Sequence, residues 1–348
     1  MKRITSLLYF ATLAFASLSS VASAQDLPVS RTAGVIDVSI PINQTSLVAI
    51  PLVDIVASGT ITSVSGTTLG VSSTLGALSG PHAIKITSRD DQRGTGANAP
   101  GTAGDSTNGY GQTGQISSNT TGAGSTVTTA TALTPNVGDE FVIYPLETLT
   151  TLFGTPPAAG WNGSTGAGSA DIVYIDNAGV LTGYFYKTNA AFGGAGWKLV
   201  SNPTGSAFND TVIPVNRGLL VQRRNAGTAF NIRNFGVTLP GRETGAVVAG
   251  FNIMNNPFSV TTTLAASGLV SHVTGSTGAG SADLVYLETA GVLTGYYYKT
   301  GGLGGAGWRT TADGSTDRGN VALTAGKAIL FQEKAGTVGF ALPEPFAE

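Results

Sequence analysis

The sequence predicts an all-β protein of tandem β-sandwich or barrel-like modules with an internal duplication, and three observations predict it. Glycine fills 49 of 348 positions and charged residues make up only 11%, against roughly a quarter in an average soluble chain. The surface must therefore be Ser, Thr, Asn and Gly, which suit turns and strands and make poor helix interiors. Short apolar runs end in turn residues, and no segment carries a sustained helical period with caps. The phrase GSTGAGSAD occurs at 163–171 and again at 275–283, continuing as DIVYIDNAGVLTGYFYKT and DLVYLETAGVLTGYYYKT, a self-similarity that marks a duplicated unit.

Taken in order, residues 1–24 open with Lys2 and Arg3, run through LLYFATLAFASL and close on Ala22-Ser23-Ala24. They read as a signal peptide cleaved near Ala24, which places the mature chain in the extracellular space, on the cell surface or in the periplasm. No later stretch is long and apolar enough for a membrane span. Residues 25–137 form an N-terminal β module. In it Ile36, Val38, Ile40 and Ile42 alternate on one face, as a half-buried strand requires. A Gly/Ser/Thr-rich stretch at about 92–125 has too few large apolar residues to offset its ordering entropy and is expected as a long loop.

Copy 1 spans 138–249 and copy 2 spans 250–348. Gly138, Pro145, Leu146, Thr150, Thr151 and Leu152 match Gly250, Pro257, Phe258, Thr262, Thr263 and Leu264 at one constant offset. A weaker echo of the segment at 141–154 lies upstream, in SLVAIPLVDIVASGTI at 46–61. Within copy 1, DIVYI and VLTGYFYKT flank Asp176-Asn177-Ala178-Gly179, a hairpin signal. A second hairpin joins GLLVQRR to TAFNIR through Asn225-Ala226-Gly227, and TLTTLF at 148–153 and TTLAAS at 262–267 each allow one helical turn.

An aliphatic strand ending in Pro-Leu, the Thr-Leu-Phe-Gly of 151–154, the aromatic hairpin, a Gly-Trp and the strand led by Gly218 recur here. Together they resemble a paralogous family of uncharacterised secreted bacterial proteins of verrucomicrobial type. The similarity covers most of the mature chain, and the Gly-rich 92–125 departs from the family's more compact form. What it implies is secretion, with motifs of turns and strands rather than catalytic signatures.

The chemistry available to the chain is narrow. Lys and Arg number 18 against 20 Asp and Glu, and losing Lys2 and Arg3 with the leader makes the mature chain more acidic still. Nucleic acid needs clustered basic residues and is not an expected partner. Arg223-Arg224, the closest basic pair, reads as solvated. There is no Cys, so neither disulfides nor thiolate metal sites contribute. His82 and His272 stand in unlike contexts, without a nucleophile-elbow phrase or zinc-ligand spacing. Glycosidic cleavage needs two carboxylates across one bond, whereas Asp90-Asp91 and Asp139-Glu140 are strand neighbours whose side chains diverge.

The GSTGAGSAD loop precedes a strand, not a helix, so it lacks the amide cradle that holds phosphate. A glycine-rich turn ending on an acid accounts for it. Calcium held at Asp171 and Asp283 is the one cofactor it leaves open, although calcium takes six to eight oxygens. Tyr184, Tyr186 and Trp197 in copy 1, with Tyr296, Tyr298 and Trp308 in copy 2, form an aromatic stripe. It either packs between sheets or stacks on sugar rings. The expected function is that of an exported non-enzymatic structural or binding protein of the cell surface or extracellular space. Its expected partners are polysaccharide, other surface proteins or further copies of itself. A carbohydrate-binding protein using the stripe is the alternative, and a glycan-active enzyme the third reading.

Overall fold

The computed structural model describes residues 33–87, 109–190, 193–224, 228–302 and 304–343. The leader at 1–24 and the turn at 225–227 lie outside the described residues. The chain is all-β but for short helical turns. Three strands come first: β1 (Ala33–Ile40), β2 (Thr45–Val48) and β3 (Leu52–Val53). Six follow: β4 (Ala57–Ser65), β5 (Thr68–Val71), β6 (His82–Ile86), β7 (Thr113–Asn119), β8 (Thr126–Thr129) and β9 (Glu140–Pro145). After helix α1 (Leu149–Phe153) come β10 (Ile172–Asn177), β11 (Val180–Lys187), β12 (Gly196–Leu199), β13 (Leu219–Gln222) and β14 (Phe230–Thr238). The last part contains β15 (Glu243–Val247), β16 (Gly250–Met254), β17 (Thr262–Thr263), β18 (Leu284–Thr289), β19 (Val292–Lys299), β20 (Gly307–Thr310), β21 (Ala322–Leu323), β22 (Ile329–Glu333) and β23 (Val338–Leu342).

The sheets divide this list in an order that the linear sequence hides. Strands β12-β11-β10-β13-β2 form one five-stranded sheet and β20-β19-β18-β22-β16 form another in the same order. Facing the first is β1-β14-β3, and the second module has the pair β15-β23. Module 1 therefore begins at β1, and β2 occupies the place that β16 has in module 2. Between β3 and α1 the chain leaves module 1 to build a closed barrel, β4-β5-β8-β7-β6-β9.

Two sequence expectations are corrected here. The boundary at 138 does not follow the sheets, because β9 pairs with β4 and β6 and closes the barrel. An aliphatic strand followed by Pro-Leu occurs on both sides of the insertion, and that local pattern carries no information about which sheet the strand joins. The stretch at 92–125 is not all loop either. Its described end contains β7, which pairs with β6 and β8. A strand lining a narrow barrel needs no bulky side chain: a Cβ on Gly114 would meet the Leu133 methyls at 3.2 Å. Leu133 fills the space instead, together with Ile61, Leu69, Ile84, Val127 and Phe141.

Local chemistry explains the remaining elements. Ala178 and Gly179 have φ of 50° and 84°, and Ala290 and Gly291 have 49° and 79°. Both hairpins thus close through turns with two positive-φ residues, matching strand twist. Thr148 caps α1 by accepting from the Thr151 amide at 3.1 Å, while Thr151 Oγ1 accepts from the Thr148 amide at 2.7 Å. In the 50–54 segment Pro51 has no amide to donate, and two asparagines take over the backbone pairing. Asn255 accepts from the Ile50 amide at 2.8 Å, and Asn234 both accepts from and donates to Leu52 at 2.8 Å.

The five-stranded sheets meet back to back through Leu47, Ala49, Ile253, Ala328 and Leu330. Hydrogen bonds cross this seam in matched fashion. The Asn255 amide donates to Asn216 O at 3.0 Å, and the Ala49 amide, its counterpart, donates to Gly326 O at 2.8 Å. Gly218 and Ala328 hold equivalent places immediately before β13 and β22 and touch each other, as equivalent residues on a two-fold axis must. A Cβ on Gly218 would lie 2.4 Å from Ala328 Cβ and 2.9 Å from Val48 O. Gly218→Ala should therefore cost about 1–3 kcal/mol in urea unfolding. Adding Ala328→Gly should restore part of the loss through direct coupling of the two sites.

Candidate functional site

The duplicated GSTGAGSAD loop is a built turn. Ser164 bridges β11 in parallel at Lys187, and Ser276 bridges β19 in the same way at Lys299. Within each loop two serine hydroxyls meet, Ser164 with Ser169 at 2.6 Å and Ser276 with Ser281 at 2.7 Å. The closing acids are wholly buried and held alike. Asp171 accepts from the amides of Asn162 and Arg224, both at 2.7 Å, and Asp283 from those of Thr274 and Lys334 at 2.6 and 2.9 Å.

Calcium at Asp171 is overturned, because Arg223 Nε already sits 2.7 Å from its Oδ2. The solvated reading of Arg223 falls with it. Arg223 is 2% exposed, donates also to the carbonyls of Ile40 and Thr228 at 3.1 and 3.0 Å, and lies over the rings of Trp161 and Phe230. Sequence offered one signal for it: Leu219 and Val221 of β13 alternate toward the core, and Arg223, just past the strand, continues that alternation.

The aromatic stripe is core. Tyr184, Tyr186 and Trp197 pack between the sheets of module 1 and cannot present a ring to a sugar. Trp197 donates from Nε1 to Gly154 O at 3.0 Å. In module 2, Tyr296 and Trp308 are buried likewise, and the half-buried Tyr298 meets Trp308 edge-on at 5.7 Å. Phe185, on the opposite face of β11, is covered by Ala167 and Ala170 of the loop. His82 Nδ1 lies 3.1 Å from Gly80 O, and His272 Nε2 lies 2.8 Å from Ala341 O. Asp139 is buried and accepts from the Asn136 amide at 2.7 Å, while Asp90-Asp91 falls outside the described residues.

What the structure does bring together is a cavity of about 130 Å³ where barrel, module 1 and module 2 join. The barrel strand β6 sends Ile84 and Ile86 inward, so Ala83 and Lys85 point out toward the modules. There Lys85 Nζ donates to Glu243 Oε2 at 2.8 Å, with both side chains almost sealed from water. Tyr144 of β9 stands beside them. Burial, and then the Glu243 carboxylate, push its phenol pKa well above the ordinary range. Arg217 donates to Ala246 O at 2.9 Å and lies 3.2 Å from the buried Asp176 carboxylate. Burial pulls its pKa below the usual guanidinium value while Asp176 opposes that shift.

The same cavity is lined by Asp54, Asn255, Arg233 and Phe235. Phe235 is 67% exposed, and Arg233 is held by two hydrogen bonds to Asp37, at 2.8 and 3.3 Å, on the same face. These residues escaped sequence reasoning because they come from segments far apart along the chain. The one visible signal was a lysine inside the apolar strand HAIKI. A concave, partly apolar pocket with a few polar groups at the join of sub-structures has the general features of a small-molecule site. Among the described residues no group of three or more His, Asp or Glu is placed to hold a metal ion, and no helix is long and apolar enough to cross a membrane. Compared with protein-family models, curated proteins and solved structures, the chain gives no match.

Removing one partner of a buried ion pair leaves an uncompensated charge, so Lys85→Met should cost about 3–5 kcal/mol in urea unfolding. Lys85→Met with Glu243→Leu should recover most of it. In the unfolded chain a tyrosine loses its proton near pH 10, whereas folded Tyr144 keeps it. The unfolded state then binds fewer protons, and stability falls as pH rises past about 10, by up to about 1.4 kcal/mol per unit for this group. Tyr144→Phe should remove that share of the alkaline slope.

Proposed function

We propose that the chain is an exported, non-enzymatic structural and binding protein of the cell surface or extracellular space, and that it binds through the junction cavity. The observation that carries this reading is the exposed Phe235 beside the Asp37–Arg233 pair at a cavity whose inner wall holds Lys85, Glu243 and Tyr144. The inner ion pair is already satisfied, so it shapes the cavity and leaves recognition to the outer groups. Its place at the join of three sub-structures also fits, since ligand sites favour such seams.

A carbohydrate ligand is the second reading, and one feature favours it over other small polar molecules. An open phenyl face next to a fixed guanidinium–carboxylate pair offers a sugar both a stacking surface and partners for its hydroxyls. That role passes from the buried Tyr184, Tyr186 and Trp197 to Phe235.

Depletion of the purified protein by a panel of insoluble polysaccharides tests the pair of readings. Selective depletion that Phe235→Ala weakens by up to about tenfold, with an unchanged circular dichroism spectrum, is the carbohydrate result. Equal depletion of wild type and variant would remove the cavity mouth from consideration. If no polysaccharide depletes it and sedimentation reveals concentration-dependent assembly, the structural role stands alone.

A further inference from the structure

Asp171 and Asp283 close the same turn with the same pair of amide donors, but what faces them differs. Ile172 pairs with Gln222 in module 1, so one step further Asp171 stands opposite Arg223, where the ion pair forms. Leu284 pairs with Gln332 in module 2, so one step further Asp283 stands opposite Glu333. Alternation places both carboxylates on the core side, in line with Val285 and Leu287 on β18 and with Ile329 and Phe331 on β22. Asp283 is fully buried and Glu333 is 2% exposed.

Like charges directly opposite across a sheet repel, and each buried carboxylate costs several kcal/mol unless compensated. Amides answer part of the need. Asp283 has two, and Glu333 Oε1 accepts from the Ala335 amide at 2.9 Å. Glu333 Oε2 is buried with no hydrogen-bond partner. In module 1 the equivalent place holds a guanidinium, and the residue before the turn's first amide donor is Trp161, whose ring lies against it. In module 2 that residue is Val273, so the bulk that closes over the positive charge in module 1 is missing.

We infer that module 2 binds a calcium ion between Asp283 and Glu333, in the place where module 1 holds the charge of Arg223. A divalent cation matches two carboxylates and gives the orphaned Oε2 a partner. With only two acidic ligands the rest of the shell is carbonyl oxygen and water, which suits calcium's loose coordination better than magnesium's strict octahedron, and suits millimolar extracellular affinity. Module 1 illustrates what this end of the fold offers a cation: besides Asp171, the guanidinium takes the carbonyls of Ile40, Gly160 and Thr228.

The test is isothermal titration of the purified full chain with calcium chloride alone, with thermal melts in chelator, millimolar calcium and millimolar magnesium. One calcium per chain and a melting point raised by a few degrees in calcium over chelator are expected, because the ion binds only the folded state. Glu333→Gln should lose both signals. Glu333→Arg, which recreates the module 1 arrangement, should fold and melt alike in chelator and calcium. Absence of calcium binding to the wild type would overturn the inference. So would a response to magnesium alone, or binding that survives in both variants.

Discussion

The contact between Gly218 and Ala328 is the constraint on which the arrangement of both modules rests. Two five-stranded sheets can approach back to back this closely only if a residue on the axis has no side chain, and the 2.4 Å that a Cβ would have to Ala328 measures how little room there is. Given that approach, Leu47, Ile253 and Leu330 close around the axis, and amides of one module reach carbonyls of the other. The Asp176 carboxylate then accepts from the Ile253 amide at 2.9 Å while Arg217 lies against it, so a charged group of module 1 is completed by backbone of module 2. A self-complementary seam of this kind is how identical subunits pair. Here it joins two halves of one chain.

The inserted barrel is what makes those halves unequal. It grows from module 1 between β3 and α1 but docks on module 2 as well, through Lys85 to Glu243 and through Arg242, which donates to Tyr110 O at 3.0 Å and lies over the Tyr110 ring. The cavity lies where these three parts meet, lined by residues from each. The backbone of 50–54 turns there around Pro51, and its polar groups at Ile50 and Leu52 pair with Asn255 and Asn234. The binding site proposed here is thus a consequence of inserting one domain into another.

Much of the architecture was legible because it is local. Period-two alternation marks β1, Asp-Asn-Ala-Gly marks the β10–β11 turn, and Thr148 with Thr151 marks α1, since each depends on residues within a few positions. What failed depends on partners far along the chain. β9 carries the same aliphatic-Pro-Leu pattern as β2, and only pairing across the whole of module 1 assigns one to the barrel and the other to the sheet. β7 escaped because a narrow barrel places Gly114 where a sandwich would need a large residue. Arg223 looked solvated beside Arg224 because its partner Asp171 is 52 positions away, and the stripe of Tyr184, Tyr186 and Trp197 looked available because no sequence pattern says whether a second sheet covers a face.

Charge is scarce in this chain, and two of its buried ion pairs follow the two-fold. Asp176 with Arg217, and Glu288 with Lys327, hold equivalent positions with each sign kept, and both acids also accept from the glycine amide of their hairpin turn. Such a pair can drift from Asp to Glu or from Arg to Lys. It cannot reverse the sign of one member alone without leaving a buried charge that costs several kcal/mol, a large fraction of what holds an ordinary domain folded. Asp171 and Asp283 obey this rule, but Arg223 and Glu333 break it. Module 2 has kept the turn, the amides and the acid of module 1 while replacing the cation by a second acid. The calcium ion proposed between Asp283 and Glu333 would restore to module 2 the positive charge that Arg223 supplies in module 1.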